Sequence, residues 1–128
     1  MPLLDTCTLL WLVADPGSIS ETGRDLIDRQ EQQAFVSAIT AFEIALKHRK
    51  KKLRLPLPPA KWFSEAVDMY GLSVIPIDAS IAINSALLPE IHNDPCDRII
   101  IATAQVYRLE ILTPDPFIAR YKEVKTVW

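Results

Sequence analysis

The chain has 128 residues, a common size for one domain, and folding at that length buries roughly two-thirds of the surface of the unfolded chain. With 49% hydrophobic residues and three glycines, the composition excludes a disordered protein and predicts one ordered domain spanning residues 1–128. Two cysteines make neither a disulfide framework nor a zinc motif, and charge interrupts every apolar stretch, so we expect a cytoplasmic protein without a membrane segment.

The net charge of −2 hides an uneven distribution. Six of the 14 Lys and Arg lie between residues 47 and 54, which leaves 8 elsewhere against 16 Asp and Glu. Lys47, Lys50, Lys51 and Lys52 are therefore candidates for binding phosphates of a nucleic acid. The same residues could instead serve the helix, because basic side chains complement the dipole at a helix C-terminus and Lys47 is placed to pair with Glu43 one turn earlier. Both roles stay open.

Short apolar runs alternate with longer helical patterns along the chain, which predicts an α/β fold with a mostly parallel sheet. In the first half, strands are predicted at 2–4 and 34–37, and helices at 6–14, 18–32, 41–51 and 61–69. In the second half, strands are predicted at 72–77, 111–113 and 124–127, and helices at 78–88, 95–107 and 115–121. Pro76 makes the 72–77 strand an expected edge strand, because proline cannot donate to a neighbouring strand.

Particular acidic residues fall where strands end and the next helices begin. Asp5 and Asp115 follow predicted strands, and Glu43 and Asp97 lie in the predicted first turns of helices. In an open parallel sheet these positions face one edge, the edge where such folds bind ligands. We therefore expect Asp5, Glu43, Asp97 and Asp115 to meet in one pocket.

Helix capping also accounts for Glu43, Asp97 and Asp115 taken alone, but less well for Asp5, because Thr6 could cap that helix by itself. Thr40 to Glu43 fits a capping box, Asp94 and Pro95 fit a helix start that Asp97 complements, and Asp115 precedes a proline in the same way. Capping does not explain why the acids would converge. Two carboxylates about 4 Å apart repel by about 4 kcal/mol at an effective dielectric constant near 20, so a cluster needs protons or a cation. A set of oxygen ligands without His or Cys favours Mg²⁺, with Mn²⁺ also suitable.

Several segments together resemble the PIN-domain family, and more closely its VapC-type toxin ribonucleases. They are Leu3-Leu4-Asp5-Thr6 with Leu9-Leu10-Trp11-Leu12, Val36-Ser37 followed by Phe42 to Lys47, His92 to Arg98, Leu112 to Asp115, and the terminal Trp128. The likeness covers the whole chain in the family's order. It implies a three-layer α/β/α sandwich around a short, mostly parallel sheet.

The resemblance also implies roles for individual residues. Asp5 and Asp97 would be the principal metal ligands, Glu43 would complete the acidic cluster, and Asp115 would act directly or through water. Thr6 and Thr113 would support the site, while Asp94 and Arg98 would flank it, Arg98 equally well as a structural partner of a carboxylate.

The activity implied is Mg²⁺-dependent hydrolysis of RNA phosphodiester bonds by the toxin of a toxin–antitoxin pair. A homodimer is implied too, together with an antitoxin whose C-terminal segment lies between the early helices. On this interpretation Cys7, Cys96, His48 and His92 stay outside the chemistry, and Asp97→Asn should abolish cleavage without unfolding the protein.

Two rival functions differ from this one in the residues that they require. A non-catalytic RNA- or partner-binding module of the same fold would not need all four acids. A phospho-accepting signalling domain would need an early acidic pair and a lysine after the last core strand, where this chain has Thr113-Pro114-Asp115.

Overall fold

Five short parallel strands form the centre of the computed structural model, which describes residues 1–29 and 33–128. The strands are β1 (Pro2–Leu4), β2 (Phe35–Ser37), β3 (Ser73–Ile75), β4 (Glu110–Leu112) and β5 (Thr126–Val127). They are arranged in the order β3-β2-β1-β4-β5, and every pairing is parallel. The predicted edge position of the third strand is confirmed.

Seven α-helices are found in the described residues. They are α1 (Thr6–Ala14), α2 (Glu21–Asp28), α3 (Ala38–Arg49), α4 (Pro59–Tyr70), α5 (Ala79–Leu87), α6 (Pro95–Tyr107) and α7 (Pro116–Ala119), with a 3₁₀ turn at Pro16–Ser18. The predicted bounds of α1 and α6 agree with the structure. The helix predicted over 18–32 begins after its N-cap Ser20 and ends at Asp28, and its predicted end lies outside the described residues.

Side chains that alternate along the strands divide the core into two halves, one on each face of the sheet. Leu3 and Ile111 pack with residues of α5, α6 and α7 on one face. Leu4 and Leu112 pack with residues of α1, α3 and α4 on the other. The predicted three-layer α/β/α sandwich is therefore confirmed.

One predicted helix start is wrong, and it changes the interpretation of Glu43. Helix α3 begins three residues earlier than predicted, with Ser37 as N-cap accepting a hydrogen bond from the backbone N–H of Ile39. Thr40 lies inside the helix and shares a 3.0 Å hydrogen bond with the Thr6 hydroxyl. Glu43 is consequently in the second turn, so the capping box does not exist.

No helix among the described residues is long and apolar enough to cross a membrane.

Candidate metal centre

Asp5 and Asp115 directly follow the parallel strands β1 and β4, Glu43 lies on α3 after β2, and Asp97 lies in the first turn of α6. All four line one cavity of about 390 Å³. This acidic cavity is lined by Asp5, Thr6, Cys7, Leu10, Trp11, Glu43, Lys47, Asp94, Asp97, Pro114 and Asp115. Arg98 is not among them.

Hydrogen bonds hold the Asp5 side chain in place directly after β1. It is 4% exposed and is the N-cap of α1, where Oδ1 accepts a 2.8 Å hydrogen bond from the backbone N–H of Thr8. The Thr113 hydroxyl donates to the other oxygen, Oδ2, and accepts from the backbone N–H of Asp115. Thr113 therefore joins the ends of β1 and β4, and it sets the position of Asp5 relative to Asp115.

Glu43 has one carboxylate oxygen paired with a cation and one without a partner. It is 8% exposed, and Lys47 Nζ donates to Oε2 at 2.6 Å across one helical turn. The other oxygen, Oε1, is buried without a hydrogen-bond partner among the described residues. A buried carboxylate oxygen with no partner is costly, which indicates that something else binds it.

The segment that begins α6 contributes Asp94 and Asp97. Asp94 is the N-cap, accepting from the backbone N–H of Cys96 at 2.8 Å, and Pro95 is the first helical residue, as predicted. Asp97 lies in the first turn, and its Oδ2 is 2.8 Å from His92 Nε2. Asp115 is the N-cap of α7, and its Oδ2 is 3.3 Å from the same imidazole nitrogen.

Burial and neighbouring negative charges raise the pKa of two acids in the cavity. Burial raises the pKa of Asp97 to about 7, with further contributions from the negative charges of Asp94 and Glu43 and an opposing one from His92. Burial also raises the pKa of Asp5, against hydrogen bonds from Thr113 and Thr8 that lower it. The cavity thus holds more negative charge than its own cation, Lys47, compensates.

A family model described as PIN domain matches residues 3–124, nearly the whole chain. The chain belongs to the PIN domain family. Ribonuclease VapC22 of Mycobacterium tuberculosis is 28% identical over 129 residues, which cover 98% of this chain and 97% of that protein.

Solved structures show the same PIN-domain fold. A toxin-antitoxin complex from Klebsiella pneumoniae contains a chain that is 25% identical, with a TM-score of 0.67 and coverage of 100% of this chain and 97% of that one. The DNA-bound VapBC of Salmonella typhimurium has a TM-score of 0.70 at 19% identity, covering 98% of this chain and 96% of that one. The predicted membership of the family is confirmed.

His92 was missed as part of this PIN-domain site. It was expected in a loop away from the chemistry, but its imidazole lies between two acids of the cavity, with 17% of its side chain exposed. The sequence held one signal, because His92 lies two residues before Asp94 in the block that resembles the family. Local pattern could not show the contact with Asp115, 23 residues away.

Arg98 acts differently from the two roles expected for it. Its guanidinium contacts no carboxylate among the described residues. It donates instead to four backbone carbonyl groups and to the Tyr121 hydroxyl, the carbonyls being those of Ser85, Leu88, Pro89 and His92. Arg98 therefore stabilises the segment that joins α5 to α6.

The remaining candidates have distinct surroundings. Lys47 is paired with Glu43, as the sequence allowed, while Lys50, Lys51 and Lys52 are exposed after the end of α3.

Burial raises the pKa of the Cys7 thiol to about 11, with the Asp5 charge adding to it. Burial and the Glu43 charge raise the pKa of Cys96 to about 11 as well. Both cysteines are therefore neutral thiols at physiological pH, and neither is an activated nucleophile.

Proposed function

We propose that this protein is a divalent-metal-dependent endoribonuclease and the toxin of a toxin–antitoxin pair. The observation that carries the proposal is the acidic cavity, which Asp5, Glu43, Asp97 and Asp115 line together and in which one Glu43 oxygen is buried without a partner among the described residues. The PIN-domain family membership and the likeness to a protein named as a ribonuclease support the same activity.

The residues present fit a hard divalent cation. The charged ligands of the cavity are carboxylates, which Mg²⁺ and Mn²⁺ prefer, and the Cys7 thiol that also lines it is neutral. Asp5 and Asp97 would hold the ion, Glu43 Oε1 would gain the partner that it lacks, and Asp115 would act directly or through water. When bound, such an ion activates water for hydrolysis and offsets the charge of the phosphate group.

The other side chains would position the substrate and the acids. Lys47 places a cation beside Glu43, where it can neutralise an RNA phosphate entering the cavity. Thr113 fixes Asp5, and Thr6 ties the start of α1 to α3 through Thr40. Lys50, Lys51 and Lys52 extend the positive charge outside the cavity, where flanking phosphates would bind.

We infer the protein partners from the same likeness. The related structures named above are toxin-antitoxin complexes, so a cognate antitoxin is the expected partner. The half-buried Leu10 and Trp11 of α1 form an apolar wall beside the acids, against which a partner segment could cover the cavity. A homodimer and a cytoplasmic location complete the proposal.

The test is cleavage of total cellular RNA by the purified protein, with mapping of the new ends. We expect cleavage with Mg²⁺, none after chelation with EDTA, and loss of cleavage in Asp5→Asn. Asp78→Asn is a matched control, because Asp78 is an N-cap accepting from Ile81 at 2.9 Å just as Asp5 accepts from Thr8 at 2.8 Å, but it lies outside the cavity. RNA binding without any metal-dependent cleavage would instead favour the non-catalytic module.

A further inference from the structure

Every polar atom of His92 is engaged, although the residue lies in the loop between α5 and α6. Its backbone N–H donates to the Tyr121 hydroxyl at 2.9 Å, and its carbonyl accepts from Arg98 at 3.1 Å. Tyr121 is 1% exposed, and the His92 ring packs on Phe117 with 5.6 Å between ring centroids. The imidazole is thus fixed both through its backbone and through its ring.

The hydrogen bonds of the ring assign its tautomer. The backbone N–H of Asp94 donates to Nδ1 at 3.3 Å, so Nδ1 is the acceptor. In the neutral imidazole the proton is then on Nε2, which donates to Asp115 Oδ2 at 3.3 Å and lies 2.8 Å from Asp97 Oδ2. Nε2 therefore offers no lone pair to a metal ion in this arrangement.

The two carboxylate oxygens of Asp97 have different surroundings. Oδ2 lies 2.8 Å from the imidazole Nε2, while Oδ1 has no hydrogen-bond partner among the described residues, in a carboxylate that lines the acidic cavity. Metal-binding carboxylates are commonly oriented in this way by a donor that does not touch the ion.

We propose that His92 is a positioning residue of the metal site: its Nε2 is hydrogen-bonded to Asp115 and lies against Asp97 Oδ2, which leaves the other Asp97 oxygen to bind the ion. The inference rests on the metal site of the proposed function. Arg98 and Tyr121 contribute indirectly, because they hold the backbone on both sides of the imidazole.

The experiment measures binding of Mn²⁺ alone, without RNA, from the loss of the free Mn²⁺ signal in electron paramagnetic resonance. His92→Ala should weaken Mn²⁺ binding about 10- to 100-fold, as loss of a residue supporting metal ligands usually does. His92→Phe keeps an aromatic ring against Phe117 but lacks the donor, so it should bind as weakly as the alanine variant. His92→Gln keeps an N–H donor and should recover most of the affinity.

His48→Ala is the matched control, since the other histidine lies on the last turns of α3 and does not line the acidic cavity. It should bind Mn²⁺ like the wild type. Pulsed electron paramagnetic resonance of the bound Mn²⁺ should show no directly coordinated nitrogen, because His92 is not itself a ligand. Strong coupling to a nitrogen that His92→Ala removes would overturn the inference, by making His92 a ligand.

The two proposals can fail separately. If Asp97→Asn abolishes Mn²⁺ binding but His92→Ala and His92→Phe retain wild-type affinity, the positioning role is wrong and the metal site stands. If the wild-type protein binds no Mn²⁺, the metal site of the proposed function is wrong and the role of His92 falls with it.

Discussion

The two ends of the sheet carry cavities of similar size that differ in charge, one acidic and one balanced. The acidic cavity, about 390 Å³, lies where the strands end, and a cavity of about 380 Å³ lies where they begin. The second cavity is lined by acids and bases in equal number, Glu110 and Glu123 with Arg108 and Lys125, and Glu110 pairs with Lys125 at 3.6 Å. The acidic cavity has five acids and one cation among its described lining residues.

This difference in charge distinguishes an ordinary charged surface, at the strand starts, from a candidate ligand site, at the strand ends. Charges at the strand starts balance one another in contact with water, so they need no ligand. Charges at the strand ends are partly buried and mostly negative. Burial and then like charges raise the pKa of Asp97, and a Glu43 oxygen is unpaired among the described residues. Such an arrangement lowers stability in the absence of a cation and favours its binding.

The largest difference between the two ends is expected in catalysis. Asp97→Asn keeps the shape of the side chain but removes a charged ligand, and it should reduce RNA cleavage roughly 1,000-fold, the upper range for loss of one group that stabilises a transition state. Cleavage rates at saturating Mg²⁺ measure this, with the exposed Asp68→Asn on α4 as control. Wild-type activity in Asp97→Asn would contradict the assignment of the acidic cavity.

Loss of Arg98 should have the next largest effect, on stability. Arg98→Ala leaves three half-buried carbonyl groups, those of Ser85, Leu88 and His92, without the Arg98 donor and should lower the free energy of unfolding by about 2 to 4 kcal/mol. Chemical denaturation measures the loss. Arg120→Ala is a suitable control, because Arg120 is exposed at the end of α7 and its guanidinium only approaches the Phe117 ring, at 6.0 Å. Equal stability of the two variants would show that the Arg98 network contributes little.

A smaller effect concerns pH. The pKa of Asp97 is about 7 in the folded protein against an ordinary 3.8, so between these values the folded protein holds a proton that the unfolded chain has lost. Stability of the metal-free protein should therefore fall as pH rises from about 4 to about 7 and stay low above that.

Asp97→Asn removes this penalty, and at pH 8 without metal it should be more stable than the wild type by about 1 to 2 kcal/mol, with the gap closing toward pH 4. Thermal melts in EDTA across this pH range test it. Saturating Mg²⁺ should reverse the ranking, because it stabilises only the protein that binds it. A constant gap between pH 4 and 8 would contradict the raised pKa of Asp97 in the folded protein.

The smallest effect is expected at the strand starts. Glu110→Gln breaks a pair whose lysine is 77% exposed, and it should change the free energy of unfolding by less than about 0.5 kcal/mol. Cleavage should also be unaffected. A cost comparable to that of Arg98→Ala would mean that the two ends of the sheet do not differ as described.

Much of the fold could be predicted because it depends on local patterns. The apolar run of α6, with Asp94 and Pro95 at its start, sets the bounds of that helix from short-range preferences alone. The start of α3 could not be predicted in the same way, because Thr40 and Glu43 imitate a capping box. Burial of Thr40 against Thr6 on another helix decided which residue became the cap.

In the candidate site, too, short-range contacts could be predicted from the sequence and long-range contacts could not. The caps Asp94 and Asp115 each bind a backbone N–H two residues away, so the sequence alone determined their positions. Asp5 binds the backbone N–H of Thr8 as the cap of α1, where the sequence also offered Thr6. Only the tertiary structure decided that Glu43 loses water on one oxygen, that His92 reaches Asp97 and Asp115, and that Arg98 turns toward carbonyls. The physical reason is range: a cap is satisfied within one turn, whereas these contacts depend on the strand order and on the packing of α5 and α6, which no short segment encodes.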